Sequence, residues 1–317
     1  MNLAERAQGF VAVRFFVSRW REAALLLALA ALILAIWLPQ FVLPRPVHHY
    51  QVTFDISQSM NVSDVGTADN TLTRLELAKD AAQLLLRELP CGSRVGWSVF
   101  TGQRTIPLVV PLEICEHYGG LSSSLELIGG KMRWFNGSSV GKGLHHSIRA
   151  ASAIGDHAAV IMISDGHEAP PLRPGQKGIP KNEGLGIKGL LVGVGGDNAV
   201  PIPKTDEEGR QTGFWQAHEV AQLPGVTGRP SQEELSRLKS EHMIQLSQLA
   251  GLEYIRLTQP EELHTAVKTL GIAQKAPAPV DLSWVPAGFA LLFLCWRYLP
   301  VGRISFTRQN SHSAKPG

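Results

Sequence analysis

From Ala23 to Leu38 the chain reads AALLLALAALILAIWL, without one charged or polar side chain. Continued through Leu43, such a run is long enough for the roughly 30 Å hydrocarbon core of a bilayer. A second apolar run, WVPAGFALLFLCW, extends from Trp284 to Trp296 and is interrupted by Arg297. It spans if the helix continues through YLPVG while Arg297 snorkels to the headgroups. The first run ends in WLPQFVLPRP, a poor cleavage site, which favours an uncleaved anchor over a signal peptide. The expected organisation is a basic segment 1–22, a transmembrane helix 23–43, a folded domain 44–275, a second transmembrane helix 281–301 and a basic tail 302–317.

Charge sets the orientation. Arg6, Arg14, Arg19 and Arg21 precede the first run, and Arg303, Arg308 and Lys315 follow the second. Between Pro44 and Val280, 22 Lys and Arg stand against 24 Asp and Glu, a net charge of −2. The sequence pI near 8.8 therefore belongs to the flanks. By the positive-inside rule both ends are cytoplasmic and the domain is periplasmic, held at a bacterial inner membrane. No basic patch is left on the domain to support a nucleic-acid role.

Cysteine usage agrees with an oxidising compartment. SRVGWSVF (93–100) and TIPLVV (105–110) read as two strands joined by TGQR. With Phe100 opposite Thr105, antiparallel register sets Cys91 and Cys115 facing each other at the open end of the hairpin. An exoplasmic domain favours a disulfide there, with two free cysteines as the alternative.

The rest of the domain alternates strands and helices. Residues 48–56 and 158–164 are apolar, β-prone runs, and 185–196 and 251–257 contain further strands. Residues 73–89, 139–154, 231–250 and 260–271 carry helical periodicity, with an irregular helical region over 113–130 and a capping-box pattern at Thr73 and Glu76. This alternation predicts an α/β fold, a doubly wound, mostly parallel six-stranded sheet covered on both faces, with the hairpin supplying one antiparallel edge strand. An insert rich in Gly and Pro, 197–230, falls on or near the ligand-bearing rim.

In such sheets ligands bind beyond the carboxyl ends of the strands, where strand order reverses. FDISQSM puts Asp55, Ser57 and Ser59 just past the first strand, Asp165 follows the strand 158–164, and Ser138 sits in the loop FNGSS that opens a helix. Two carboxylates and three hydroxyls are hard oxygen ligands, suited to Mg²⁺, with Mn²⁺ or Ca²⁺ as alternatives, and not to zinc or copper. A carboxylate from another molecule would complete the coordination. Asp55 and Asp165 are expected outside the core, so that replacing either leaves the fold largely intact. Adjacent His48–His49 and His145–His146 point apart and make poor shared ligands. VGVGGD (192–197) lacks the lysine of a phosphate loop and reads as a strand-end turn. Phe214 and Trp215, in the insert, are candidates for a partner-binding rim.

D-x-S-x-S, a Ser in a GSS loop and ISDG together resemble the metal-ion-dependent adhesion site of von Willebrand factor A (VWA) domains, over about 48–271. The resemblance implies sheet order 3-2-1-4-5-6, with the hairpin at one edge. The family usually has Thr where this chain has Ser138, and His167 and Glu168 stand where it has acids or polar residues. One span on each side of a VWA domain resembles the bacterial Bat-like membrane proteins. VPIPKTDEEGRQTGFW (200–215) resembles an insert found there and in VWA proteins of methanol dehydrogenase maturation. That implies a non-enzymatic module assisting assembly or metal loading of a periplasmic enzyme, beside other VWA membrane proteins and a MoxR-type AAA+ ATPase. A Bat-like role in aerotolerance or stress, and a metal-dependent hydrolase using His167 or Glu168, are the alternatives.

Overall fold

AVIMIS, at 159–164, shows why the domain is layered. Successive strand side chains point to opposite faces, and here both faces are apolar: Ala159, Ile161 and Ile163 enter one core, Val160 and Met162 another. A strand of this kind needs helices on both sides. The computed structural model, which describes residues 23–38, 41–67, 70–155, 158–173, 186–223, 232–271 and 273–298, supplies them.

The central sheet contains β1 (His49–Asp55), β2 (Arg94–Thr101), β3 (Arg104–Glu113), β4 (Ala159–Ser164), β5 (Gly189–Val194) and β6 (Glu253–Leu257). Its order is β6-β5-β4-β1-β2-β3, which is 3-2-1-4-5-6 read from the hairpin edge. All neighbours are parallel except β2 and β3. On one face lie α1 (Arg74–Glu88), α2 (Ile114–Leu127) and α5 (Glu261–Thr269), packed against Tyr50, Val52 and Phe54. On the other lie α3 (Val140–Ile154) and α4 (Ser240–Ala250), packed against Val160, Met162 and Leu191. Full burial of apolar side chains of this size is worth about 1.5–3 kcal/mol each. Thr73 and Glu76 form the expected reciprocal capping box at the start of α1. The hairpin has Phe100 opposite Thr105, and Cys91 and Cys115 form a disulfide with their Cα atoms 5.4 Å apart.

The helix expected over 231–250 is shorter. It starts at Ser240, and Leu235–Ser236 is a strand paired with Val200–Pro201. The periodicity of SQEELSRL is helical, but Ser236 is drawn into a buried polar cluster described below, and that tertiary demand overrides local propensity. Within the insert, Pro203–Thr205 pairs with Gln211–Phe214.

The chain divides into a central unit, Leu43–Ala278, and a second unit made from its two ends, Met1–Val42 and Pro279–Gly317. In the second unit residues 23–37 and Trp284–Tyr298 are helical. Among the described residues no helix is long and apolar enough to cross a membrane. The expected helix over 23–43 stops at 37, because Leu38 precedes a proline, which disfavours helical backbone. Phe41–Val47 is instead a strand that pairs with Gln274–Val280. The segments 1–22 and 302–317, and the end of the second expected span beyond 298, lie outside the described residues.

Candidate functional site

β1 and β4 are neighbours at the point where strand order reverses, and the three predicted loops meet at their carboxyl ends. Asp55 closes β1, and Asp165 follows Ser164 at the end of β4. The loop carrying Ser138 is stitched in place by its backbone. Ser138 N donates to Ala169 O (2.7 Å), Ala169 N returns a bond to Ser138 O (2.8 Å), and Gly102 N donates to Gly137 O (2.9 Å).

Both carboxylates are fully buried, contrary to the expectation that they stand outside the core. The loops that follow each strand end hold its carboxylate through hydrogen bonds, Ser57 N to Asp55 and His167 N to Asp165, and so keep it from solvent. Asp55 accepts from Ser57 N (2.9 Å) and Ser164 Oγ (2.7 Å). Burial, and then the charge of Asp165, push its carboxyl up to about 7, against the opposing pull of bonds from Ser164 and Ser57. Asp165 is held the other way. Burial alone would raise it, but the Arg74 guanidinium and the His167 region keep it below the usual carboxylate range. Its Oδ1 accepts from His167 N (3.0 Å), and its Oδ2 accepts from Arg74 (2.5 Å) and Ser236 Oγ (2.9 Å).

Arg74 is the residue that sequence reasoning missed. Its side chain is fully buried and also donates twice to Asp64, at 2.9 and 2.6 Å. The glycines of VGVGGD make room for it. Gly195 has φ +137°, and a Cβ there would lie 2.8 Å from Arg74 Nε, while Gly196 N donates to Asp64 (2.9 Å). The signal was present in α1, where Arg74 shares the apolar stripe with Ala78, Ala81 and Leu85. A charge on a buried helix face needs a buried partner.

The hydroxyls are placed differently. Ser57 Oγ and Ser59 Oγ lie 3.1 Å apart. Ser138 is 3% exposed, and its Oγ has no hydrogen-bond partner among the described residues. All three serines line one cavity of about 320 Å³, together with His167, Trp215 and Glu233. An orphaned buried hydroxyl lining one cavity with two others, on loops joined to a buried cluster of carboxylates, suits a hard divalent cation. Ser57, Ser59 and Ser138 have oxygen to offer it directly. Asp55 and Asp165, each with both oxygens already accepting bonds, supply charge.

Of the two rim residues, Trp215 lines the cavity and Phe214 does not; Phe214 is 47% exposed in the small hairpin. Glu168 is engaged by Gly141 N (3.3 Å) and His242 Nε2 (3.1 Å). His167 is held below its usual pKa, chiefly by burial, and its Nδ1 has no partner among the described residues. A separate grouping of Cys91, Glu113 and Cys115 has metal-ligand spacing, but its two sulfurs are bonded to each other.

Solved structures place this architecture. An aerotolerance-related membrane protein from Bacteroides fragilis, solved with multiple mutations to serine, superposes with a TM-score of 0.50 at 20% identity, over 70% of this chain and 97% of that one. A conserved hypothetical protein, BatB from Bacteroides thetaiotaomicron, gives 0.50 at 21% identity, over 70% and 96%. The central unit shares the fold of these two proteins. No protein-family model and no curated protein sequence matches the chain. The Bat-type likeness thus rests on architecture, and it agrees with what the motif residues themselves imply.

Proposed function

We propose that this protein is a membrane-anchored, periplasmic binding module that holds a divalent cation, most simply Mg²⁺, and through it grips an acidic group on a client protein. One observation carries the reading: Ser57, Ser59 and Ser138 line a single cavity, with Ser138 Oγ buried and unpartnered, and the loops that carry them follow or meet the strand ends of the buried Asp55 and Asp165. When bound, the cation supplies positive charge in a partly dehydrated site, where attraction for a carboxylate exceeds its value in water. Asp55 and Asp165 keep the loops in register, and the serines present oxygen. Glu168, tied to Gly141 and His242, is badly placed as a free general base, which weighs against hydrolysis through that residue. The site residues proposed are Asp55, Ser57, Ser59, Ser138 and Asp165.

The membrane reading is supported by the second unit. Its large apolar side chains face outward, with Leu26 71%, Ile36 80% and Leu292 64% exposed, while Ala24, Ala28 and Ala290 are buried. Small residues inside and large apolar residues outside reverse the soluble pattern and fit helices in lipid. The Cys91–Cys115 disulfide fits an oxidising compartment. Among possible biological roles, assistance to a client enzyme in a Bat-like setting, beside a MoxR-type ATPase, follows from the resemblance. That one structural neighbour is an aerotolerance-related membrane protein favours stress tolerance over methanol oxidation.

Titration calorimetry of Mg²⁺ and Mn²⁺ into EDTA-stripped, detergent-solubilised full chain tests the metal site. Absence of heat and of competition between the two ions would overturn it. Alkaline phosphatase fused after residue 120 should be active, and fused at the C-terminus inactive; the reverse pattern would overturn the topology.

A further inference from the structure

The cavity above the serines is larger than one carboxylate requires. At about 320 Å³ it has the liquid volume of on the order of ten water molecules. Much of its lining is apolar, from Phe135, Pro170, Pro171, Ile202, Trp215 and Val220. Ile202 is 5% exposed and Phe135 55%, so the wall runs from the interior to the surface.

This wall is built onto the serine loop through one side chain. Gln58 stands between Ser57 and Ser59, and its Oε1 accepts from Trp215 Nε1 (2.7 Å) and Thr205 N (3.3 Å). Its Nε2 donates to Asn136 Oδ1 (3.0 Å), two residues before Ser138. The Lys204 ammonium lies 4.7 Å from the centre of the Trp215 ring, and it pairs with Glu219 at 2.5 Å. Two segments distant in sequence, the loop at Asn136 and the insert hairpin, are thus fastened to the residue between two candidate ligands. Trp215 is held in a fixed orientation beside the hydroxyls.

Charge adds a condition. Glu219 and Glu233 also line the cavity. Lys204 offsets Glu219, whereas Glu233 has His167 Nε2 only at 4.0 Å. A carboxylate entering without a cation meets negative charge; with one bound, the sign of the interaction reverses.

We propose that the cavity recognises a two-part ligand, a peptide segment in which an Asp or Glu directly neighbours a bulky apolar side chain. The carboxylate is directed to Ser57, Ser59 and Ser138, and the apolar side chain packs on Phe135, Ile202 and Trp215. This inference rests on the divalent-cation reading above and adds the identity of the neighbouring residue to it. Burial of an aromatic side chain against such a wall is worth a factor of about ten or more in affinity.

The test is fluorescence anisotropy with the detergent-solubilised full chain and three labelled peptides, Gly-Phe-Asp-Gly-Gly, Gly-Gly-Asp-Gly-Gly and Gly-Phe-Asn-Gly-Gly, in Mn²⁺ or EDTA. Mn²⁺ binding is measured separately by calorimetry. The Phe-Asp peptide should bind at least about tenfold more tightly than Gly-Asp, and Phe-Asn should not bind. Trp215→Ala should reduce Phe-Asp to the level of Gly-Asp while Mn²⁺ binding stays unchanged, and Gln58→Leu should act in the same direction. Equal affinity for Phe-Asp and Gly-Asp, or indifference to Trp215→Ala, would overturn this inference and leave the cation reading standing. Loss of all peptide binding with Mn²⁺ bound also overturns it. Failure of the wild-type chain to bind Mn²⁺ overturns both.

Discussion

The two carboxylates of the site and its Ser138 hydroxyl are in opposite hydrogen-bonding states. Asp55 and Asp165 are fully buried, and every carboxylate oxygen accepts at least one bond, from Ser57 N, Ser164, His167 N, or Arg74 with Ser236. Ser57 and Ser59 contact each other, and Ser138 Oγ contacts no polar group among the described residues. The carboxylates are spent on holding strand ends and loops together; the Ser138 hydroxyl is left over for something that arrives. Residues within one motif thus divide into those that organise and those that bind, and the two groups should respond differently to substitution.

The largest effect should fall on the organising side. Arg74→Met leaves Asp165 and Asp64 buried without their cation, and breaking a buried pair in this way costs about 3–5 kcal/mol. Urea denaturation of the EDTA-stripped protein measures it, and a loss under about 1 kcal/mol would break the comparison. Asp165→Ala should both destabilise, by about 1–3 kcal/mol, and abolish Mg²⁺ binding. The burial of Asp165 thus replaces the expectation of an intact fold.

Next comes a control at the other end of the sheet. Cys91 and Cys115 are bonded near the amino end of β2, away from the strand ends that carry the site. Replacing both with Ser should cost about 2–4 kcal/mol while leaving Mn²⁺ affinity unchanged by calorimetry. A matching fall in affinity would mean that the site follows global stability and not its own loops.

Ser138→Ala sharpens the comparison most, because its two readouts should move in opposite directions. Removing a buried hydroxyl without a partner should leave the metal-free protein as stable or up to about 1 kcal/mol more stable. The same change should weaken Mn²⁺ binding by about tenfold or more. A clear loss of metal-free stability would show that Ser138 belongs with the organising group. The smallest effect is expected at Phe214→Ala, within about 0.5 kcal/mol and without change in metal or peptide affinity, since Phe214 is exposed and does not line the cavity. A measurable effect there would return it to the rim.

Much of this domain was legible before any coordinates. Strand and helix positions follow from local periodicity, as AVIMIS and the capped α1 show, and the hairpin register that placed Cys91 against Cys115 needed only the pairing of Phe100 with Thr105. The convergence of Asp55, Ser138 and Asp165 followed from the rule that ligands lie beyond strand ends where order reverses. The length of α4 was not legible, because SQEELSRL has helical spacing and its strand depends on partners far away. Nor was the role of Gln58, whose neighbours in the chain gave no hint of Trp215.

Sequence alone determined the alternation of elements, the oxygen chemistry of the motif and the charge asymmetry of the flanks. Each is written in residues close together or in a pattern repeated along one element. Tertiary structure alone decided which side chains would be consumed in holding the site. Arg74 meets Asp165 across 91 residues, Ser236 reaches Arg74 across 162, and Trp215 reaches Gln58 across 157. Pairings of this range carry no local signature, because their energy exists only once the strands have brought buried polar groups together and removed the water that would otherwise satisfy them.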